Sequence, residues 1–213
     1  MKAKELFTYL DDYLRIPAIA DYGPQGLQVE VENPVVQRVA LTVDTAPDTI
    51  MAAAEWQADL LLVHHGILWR DVETIAGPLG RRVRLLIENR MHLYAAHLAL
   101  DAHPVVGNNA VLAAMLGLKN IAWWCDVMGT NIGVVGDMSK SLDDIQLHLD
   151  NELQTTARIL RYGPETVQKM AIVSGFGADR VAEAKALGAD TLLTGETSHA
   201  SFYAASDYNL NVI

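Results

Sequence analysis

The stretch Leu60-Leu61-Leu62-Val63-His64-His65-Gly66 decides the fold. Four aliphatic residues running into two histidines and a glycine read as a strand buried on both faces, the kind found in α/β sheets. In such sheets ligands sit in the crevice beyond the carboxyl ends of the strands. The two imidazoles therefore stand at the mouth of a sheet. Neutral imidazole is the commonest metal ligand, and two together are hard to explain as packing. For the pair alone, the alternative is two half-buried, hydrogen-bonded imidazoles.

Working outward, Val39 to Val43 is a strand, and Asp44-Thr45-Ala46-Pro47 opens a helix running to Trp56, with Pro47 suited to its first position. Residues 79–90 form a helix with Leu79, Val83, Leu86 and Ile87 on one face, and Leu93 to Ala96 is the next strand. Asn108 caps a helix that ends at Gly117. Strand and helix thus alternate over 38–117, which predicts a parallel sheet. Leu6, Tyr9, Leu10, Tyr13 and Leu14 mark an amphipathic first helix, and the Gly/Pro punctuation of Asp21 to Val29 marks a loop.

Residues 118–131 read as a connection into a second unit. Strands follow at Ile132–Val135, Ala157–Tyr162, Met170–Val173, Thr191–Leu193 and from Leu210. A capping box at Ser141-Leu142-Asp143-Asp144 starts a helix to Leu153, and Thr197 to Ser206 is helical. Ser174 to Asp179 is a tight turn into a helix ending near Gly188; the alternative is a phosphate seat at that helix N-terminus. Trp123-Trp124 reads as packing, with base stacking as the alternative. The segment Ala58-Asp59-Leu60-Leu61-Leu62 is echoed by Ala189-Asp190-Thr191-Leu192-Leu193. The predicted fold class is α/β, with two similar lobes of mixed, largely parallel sheets flanked by helices. The first lobe, 1–125, carries the ligands; the second is 126–213.

The 213 residues give two such lobes a real core each. Half the residues are apolar and a fifth charged, the profile of a soluble globular protein. No apolar run is long enough to span a bilayer, and no secretory signal is visible. A net charge of −10 argues against general nucleic-acid binding. One cysteine, Cys125, excludes an internal disulfide and a thiolate-rich zinc site, and fits a cytoplasmic location.

If the strands at 60–63 and 93–96 are parallel neighbours, their carboxyl ends lie about 5 Å apart. The second then brings His97 and Asp101 to the histidine pair. A His/His/Asp set suits Zn²⁺, Mn²⁺ or Fe²⁺. His97 is read as a support that hydrogen-bonds a ligand carboxylate. Asp101 could alternatively cap a turn, and His103 reads as a loop residue. Glu196 and His199, at a second strand end, are pocket candidates or solvated side chains.

Several stretches together resemble the Nif-three-like dinuclear metal-centre family, especially its YbgI-like branch, carried under the name GTP cyclohydrolase I type 2 homologue. They are Asp21-Tyr22-Gly23-Pro24-Gln25-Gly26-Leu27-Gln28-Val29, His64-His65-Gly66, His97-Leu98-Ala99-Leu100-Asp101-Ala102-His103-Pro104 with Gly107-Asn108-Asn109, and Thr194-Gly195-Glu196. The resemblance implies a two-lobed subunit, a homohexameric ring and up to two divalent metals per subunit. His64, His65 and Asp101 match three of five family ligands. The remaining His and Glu belong to a motif expected just past Ile213, so the resemblance implies a second lobe truncated at its C-terminal end and a second metal position short of ligands. The implied activity is metal-dependent hydrolysis of a small molecule, GTP or another nucleotide, by metal-activated water. Two alternatives stand beside it: a non-catalytic metal-binding scaffold or regulator, and a ring that encircles DNA, which the acidic balance disfavours. No P-loop or dinucleotide glycine fingerprint is present.

Overall fold

The computed structural model describes residues 1–70 and 74–213. The chain divides into two compact units, Met1–Leu100 and Asp101–Ile213.

The first unit contains α1 (Ala3–Tyr13), β1 (Gly26–Val29), β2 (Val39–Asp44), α2 (Pro47–Glu55), β3 (Leu60–His65), α3 (Gly77–Glu88) and β4 (His92–Ala95), followed by the short α4 (Leu98–Asp101). The sheet order is β1-β4-β3-β2. Strands β2, β3 and β4 are parallel, as predicted, with Leu61 opposite both Ala40 and Leu93. Strand β1 is antiparallel to β4, where the sequence reading had a loop. Its Gly/Pro punctuation marks the entry to the strand and not a loop throughout. The two-residue period of β3 sends Leu60 to one core, with Phe7, Leu14 and Tyr94, and Leu61 and Val63 to another, with Ile50 and Leu86. Burying each of these side chains contributes about 1.5–3 kcal/mol. Both faces of β3 are therefore covered, and its carboxyl end carries the histidines.

The second unit contains α5 (Asn108–Leu116), β5 (Lys119–Val127), β6 (Thr130–Ser141), α6 (Leu142–Leu153), β7 (Thr166–Phe176), α7 (Val181–Ala186), β8 (Thr191–Glu196), α8 (His199–Asp207) and β9 (Asn211–Val212). The sheet order is β5-β6-β7-β8-β9. Strands β7, β8 and β9 are parallel; β5 and β6 add an antiparallel hairpin outside β7. Residues 118–131 are thus largely strand, not a connection. Trp124 is buried there and Trp123 packs against the core, the bland reading of the pair. Burial among neighbouring acidic residues pushes the Cys125 thiol up to about 11, Arg180 opposing, so this cysteine stays a thiol. The strand expected at 157–162 is reduced to one bridge, Leu160 to Val212.

The division after Leu100 falls earlier than the 125/126 boundary read from the sequence. The physical reason is α5: Ala113 and Leu116 belong to the core built by Val134, Leu149 and Met170. Among the described residues, no helix is long and apolar enough to cross a membrane.

Candidate metal centre

The histidine pair sits where β3 ends between its two parallel neighbours. His64 and His65 leave the strand on opposite faces, yet their rings converge beyond its end, with centroids 4.7 Å apart. His97, just past β4, joins them at 4.9 Å from His64 and 5.6 Å from His65. The ligand atoms these three offer lie within 4.8 Å of one another. The sequence reading gave His97 a supporting part; the fold brings it into the same group as the pair.

Each imidazole is held from behind. His64 Nδ1 is 3.0 Å from the Ala96 carbonyl oxygen. His65 Nδ1 is 2.7 Å from Asp44 Oδ1, and His97 Nδ1 is 2.8 Å from Asp21 Oδ1. All three partners are acceptors, so a ring that is neutral in this setting carries its proton on Nδ1 and keeps Nε2 as its ligand nitrogen. This carboxylate- or carbonyl-backed imidazole is the arrangement that orients metal-ligating histidines. The donor set therefore fits a divalent metal.

The backing groups are themselves fixed. The Asp21 side chain is only 2 % exposed and also accepts from the Tyr22 and Leu98 backbone N–H groups. Gln25 Oε1 accepts from the His97 and Ala99 N–H groups. Gln28 Oε1 accepts from Ile67 and Leu68, its amide lying so close to Gly66 that a Cβ there would meet it at 2.3 Å. A side chain at position 66 would displace the Gln28 amide from its bonds to Ile67 and Leu68. Asp44, at the end of β2, is exposed, and the sequence reading used it only to open a helix. Neither Asp21, Asp44 nor Gln25 was legible as a support, because each meets its partner only through long-range pairing. The single signal was the presence of Asp21 and Gln25 in a Gly/Pro-rich stretch.

Trp69 packs edge-on to His97, ring centroids 5.2 Å apart, and walls an open cleft of about 600 Å³ with Asp44, Thr45, His65, Arg82 and His97. Asp101 closes α4 and belongs to the second unit. It is buried and accepts from Asn108 Nδ2 and Ser174 Oγ. His103 is buried, its Nδ1 accepting from Val105 and Val106 N–H. Glu196 ends β8 and His199 opens α8, both exposed; His199 stacks edge-on with Tyr203. The metal-capable group found among the described residues includes neither of them. The turn at Gly175 to Gly177 leads into a three-residue 3₁₀ turn and the six-residue α7, too short a helix to seat a phosphate.

A family model described as Duf34/NIF3 (NGG1p interacting factor 3) matches residues 1–213. A curated relative from Deinococcus radiodurans, named GTP cyclohydrolase 1 type 2 homolog, is 43 % identical over 212 residues, covering 98 % of this chain and 80 % of the relative. A relative of the same name from Pyrococcus abyssi is 38 % identical, covering 100 % of this chain and 86 % of its own. Among solved structures, protein ybgI, titled as of unknown function, superposes with a TM-score of 0.90 at 32 % identity, covering 100 % of this chain and 85 % of that one. A crystal structure from Thermus thermophilus gives the same TM-score and coverages at 36 % identity.

Proposed function

The chain belongs to the Duf34/NIF3 family, and we propose that within it this protein is a metal-dependent hydrolase of a small, nucleotide-like molecule. The observation that carries this reading is the shared backing of the three imidazoles, each with Nδ1 against an oxygen acceptor. That backing orients the three rings, whose ligand-capable nitrogens lie within 4.8 Å of one another.

In this reading His64, His65 and His97 would hold a divalent zinc, manganese or iron ion. A metal so placed would supply Lewis acidity for hydrolysis. The chain supplies the rest. Asp44 and Asp21 keep His65 and His97 oriented and their Nδ1 protons in place. Trp69 narrows the approach to His97 and excludes water from one side of it. The name shared by the curated relatives supports a nucleotide as substrate. A ring-shaped homohexamer belongs to the same proposal and is checked by solution mass.

The test is metal content by elemental analysis together with turnover of GTP and a panel of nucleotides. His65→Ala is expected to lose both bound metal and turnover. Asp21→Asn, which keeps the shape but weakens the support of His97, is expected to lower metal affinity about 10–100-fold. Wild-type turnover that persists unchanged in His65→Ala, or a protein that takes up no Zn²⁺, Mn²⁺ or Fe²⁺, overturns the reading.

A further inference from the structure

Among the described residues, a cation that lines the cleft, Arg82, has a guanidinium N–H without a hydrogen-bond partner. Arg82 lies on α3, whose Leu79, Val83 and Leu86 pack into the core, and it lines the same cleft as His65 and His97. Its Nε is buried and has no hydrogen-bond partner among the described residues. A buried charged donor left without an acceptor is costly, and the rest of this guanidinium lines the cleft. The other charged group in the cleft wall, Asp44, has its Oδ1 against His65 Nδ1. Thr45 and Ala46, where α2 begins, line the same space, so the positive end of that helix opens onto it too.

We infer that Arg82 is a phosphate clamp: the cleft takes a phosphorylated ligand and the guanidinium of Arg82 grips its phosphoryl oxygens. The guanidinium fork matches an oxyanion with two parallel N–H donors. A phosphoryl group has oxygens enough to meet a cation held by the histidines and still offer a pair to Arg82. A carboxylate, with two oxygens, does not. The volume of about 600 Å³ exceeds a lone ion and accommodates a nucleotide-sized molecule. This inference rests on the metal reading for the first of those contacts and on Arg82 alone for the second.

The test is calorimetric titration of the full chain, metal-free and zinc-loaded, with zinc content measured on every sample. The probes are inorganic phosphate, a nucleoside monophosphate, the unphosphorylated nucleoside and acetate. Phosphate and the monophosphate are expected to bind, with Arg82→Gln weakening both at least about tenfold and leaving zinc content and thermal midpoint unchanged. Arg82→Lys is expected to recover part of the loss. A monophosphate tighter than phosphate identifies a nucleotide as the ligand; equal binding identifies the free ion. Equal binding by wild type and Arg82→Gln, acetate binding as tightly as phosphate, or no phosphate binding in either form overturns the inference. If wild type takes up no zinc yet binds phosphate through Arg82, the metal reading fails and this one stands.

Discussion

The segment from β2 to β4 and the segment from β7 to β9 repeat one another down to individual hydrogen bonds. Val39, Leu60 and His92 stand in register across three parallel strands, as do Met170, Thr191 and Asn211. Asp59 Oδ2 accepts from the Gln37 and Arg38 N–H groups just before β2; Asp190 Oδ2 accepts from Gln168 and Lys169 at the same place on β7. His92 accepts from Val31 N–H and reaches the Asn33 carbonyl; Asn211 accepts from Tyr162 and Gly163 and donates to the Pro164 carbonyl. Even the helix ends agree: Arg38 donates to the Trp56 carbonyl and Lys169 to that of Leu187. Yet at the carboxyl end of the strand, His64 and His65 correspond to Gly195 and Glu196. The two copies share everything at the amino ends of their strands and differ where a ligand would sit. Within each sheet the shared bonds lie at the amino ends of the strands, and the two sheets diverge at the carboxyl ends.

If this reading is right, paired substitutions should cost alike in the shared framework. The largest effect is expected from Leu61→Ala and Leu192→Ala, both fully buried at matching positions. Each should lose about 2–5 kcal/mol in denaturant unfolding. A loss in one copy only would break the correspondence.

The aspartate latches come next. Asp59→Ala and Asp190→Ala each orphan two backbone N–H groups and should cost about 1–3 kcal/mol. Burial raises the pKa of the Asp59 carboxyl, but the hydrogen bonds from Gln37, Arg38 and Asn33, with the Arg38 charge, outweigh it and hold it below the ordinary carboxylate value. A depressed folded value means this contribution is present above the ordinary value and lost as pH falls through the folded one. The wild-type advantage over Asp59→Asn in urea midpoint should therefore shrink between neutral pH and the acid side of the carboxylate range.

The smallest effect sharpens a difference. Gln57, with φ of +60°, follows α2 where Gly188, with φ of +80°, follows α7. Left-handed backbone favours glycine, so Gln57→Gly should raise stability by up to about 1 kcal/mol and Gly188→Ala should lower it by about 1 kcal/mol, both read from thermal midpoints.

What the sequence made legible follows from range. The β3 strand, the capping box at Ser141 and the Ala-Asp echo are short patterns, and each produces its element locally: Ser141 Oγ accepts from Asp144 N–H as its spacing requires. Strand β1 was hidden because its pairing with β4 lies far away in the chain, and glycine and proline dominate its neighbourhood. Strand β5 was hidden by its irregular burial, which alternation cannot reveal. The histidine pair was visible as two adjacent imidazoles at the end of a strand. Its supports were not, since the Asp21–His97 contact joins residues that only the completed sheet brings together.

The edge-on contact between Trp69 and His97 has a practical consequence. An indole beside an imidazole feels any change in that ring's charge, and its emission shifts with the local field. Trp56, Trp123 and Trp124 add a constant background that subtraction of a Trp69→Phe spectrum removes. The cleft thus carries its own fluorescent gauge, able to register occupancy without label, cofactor colour or turnover.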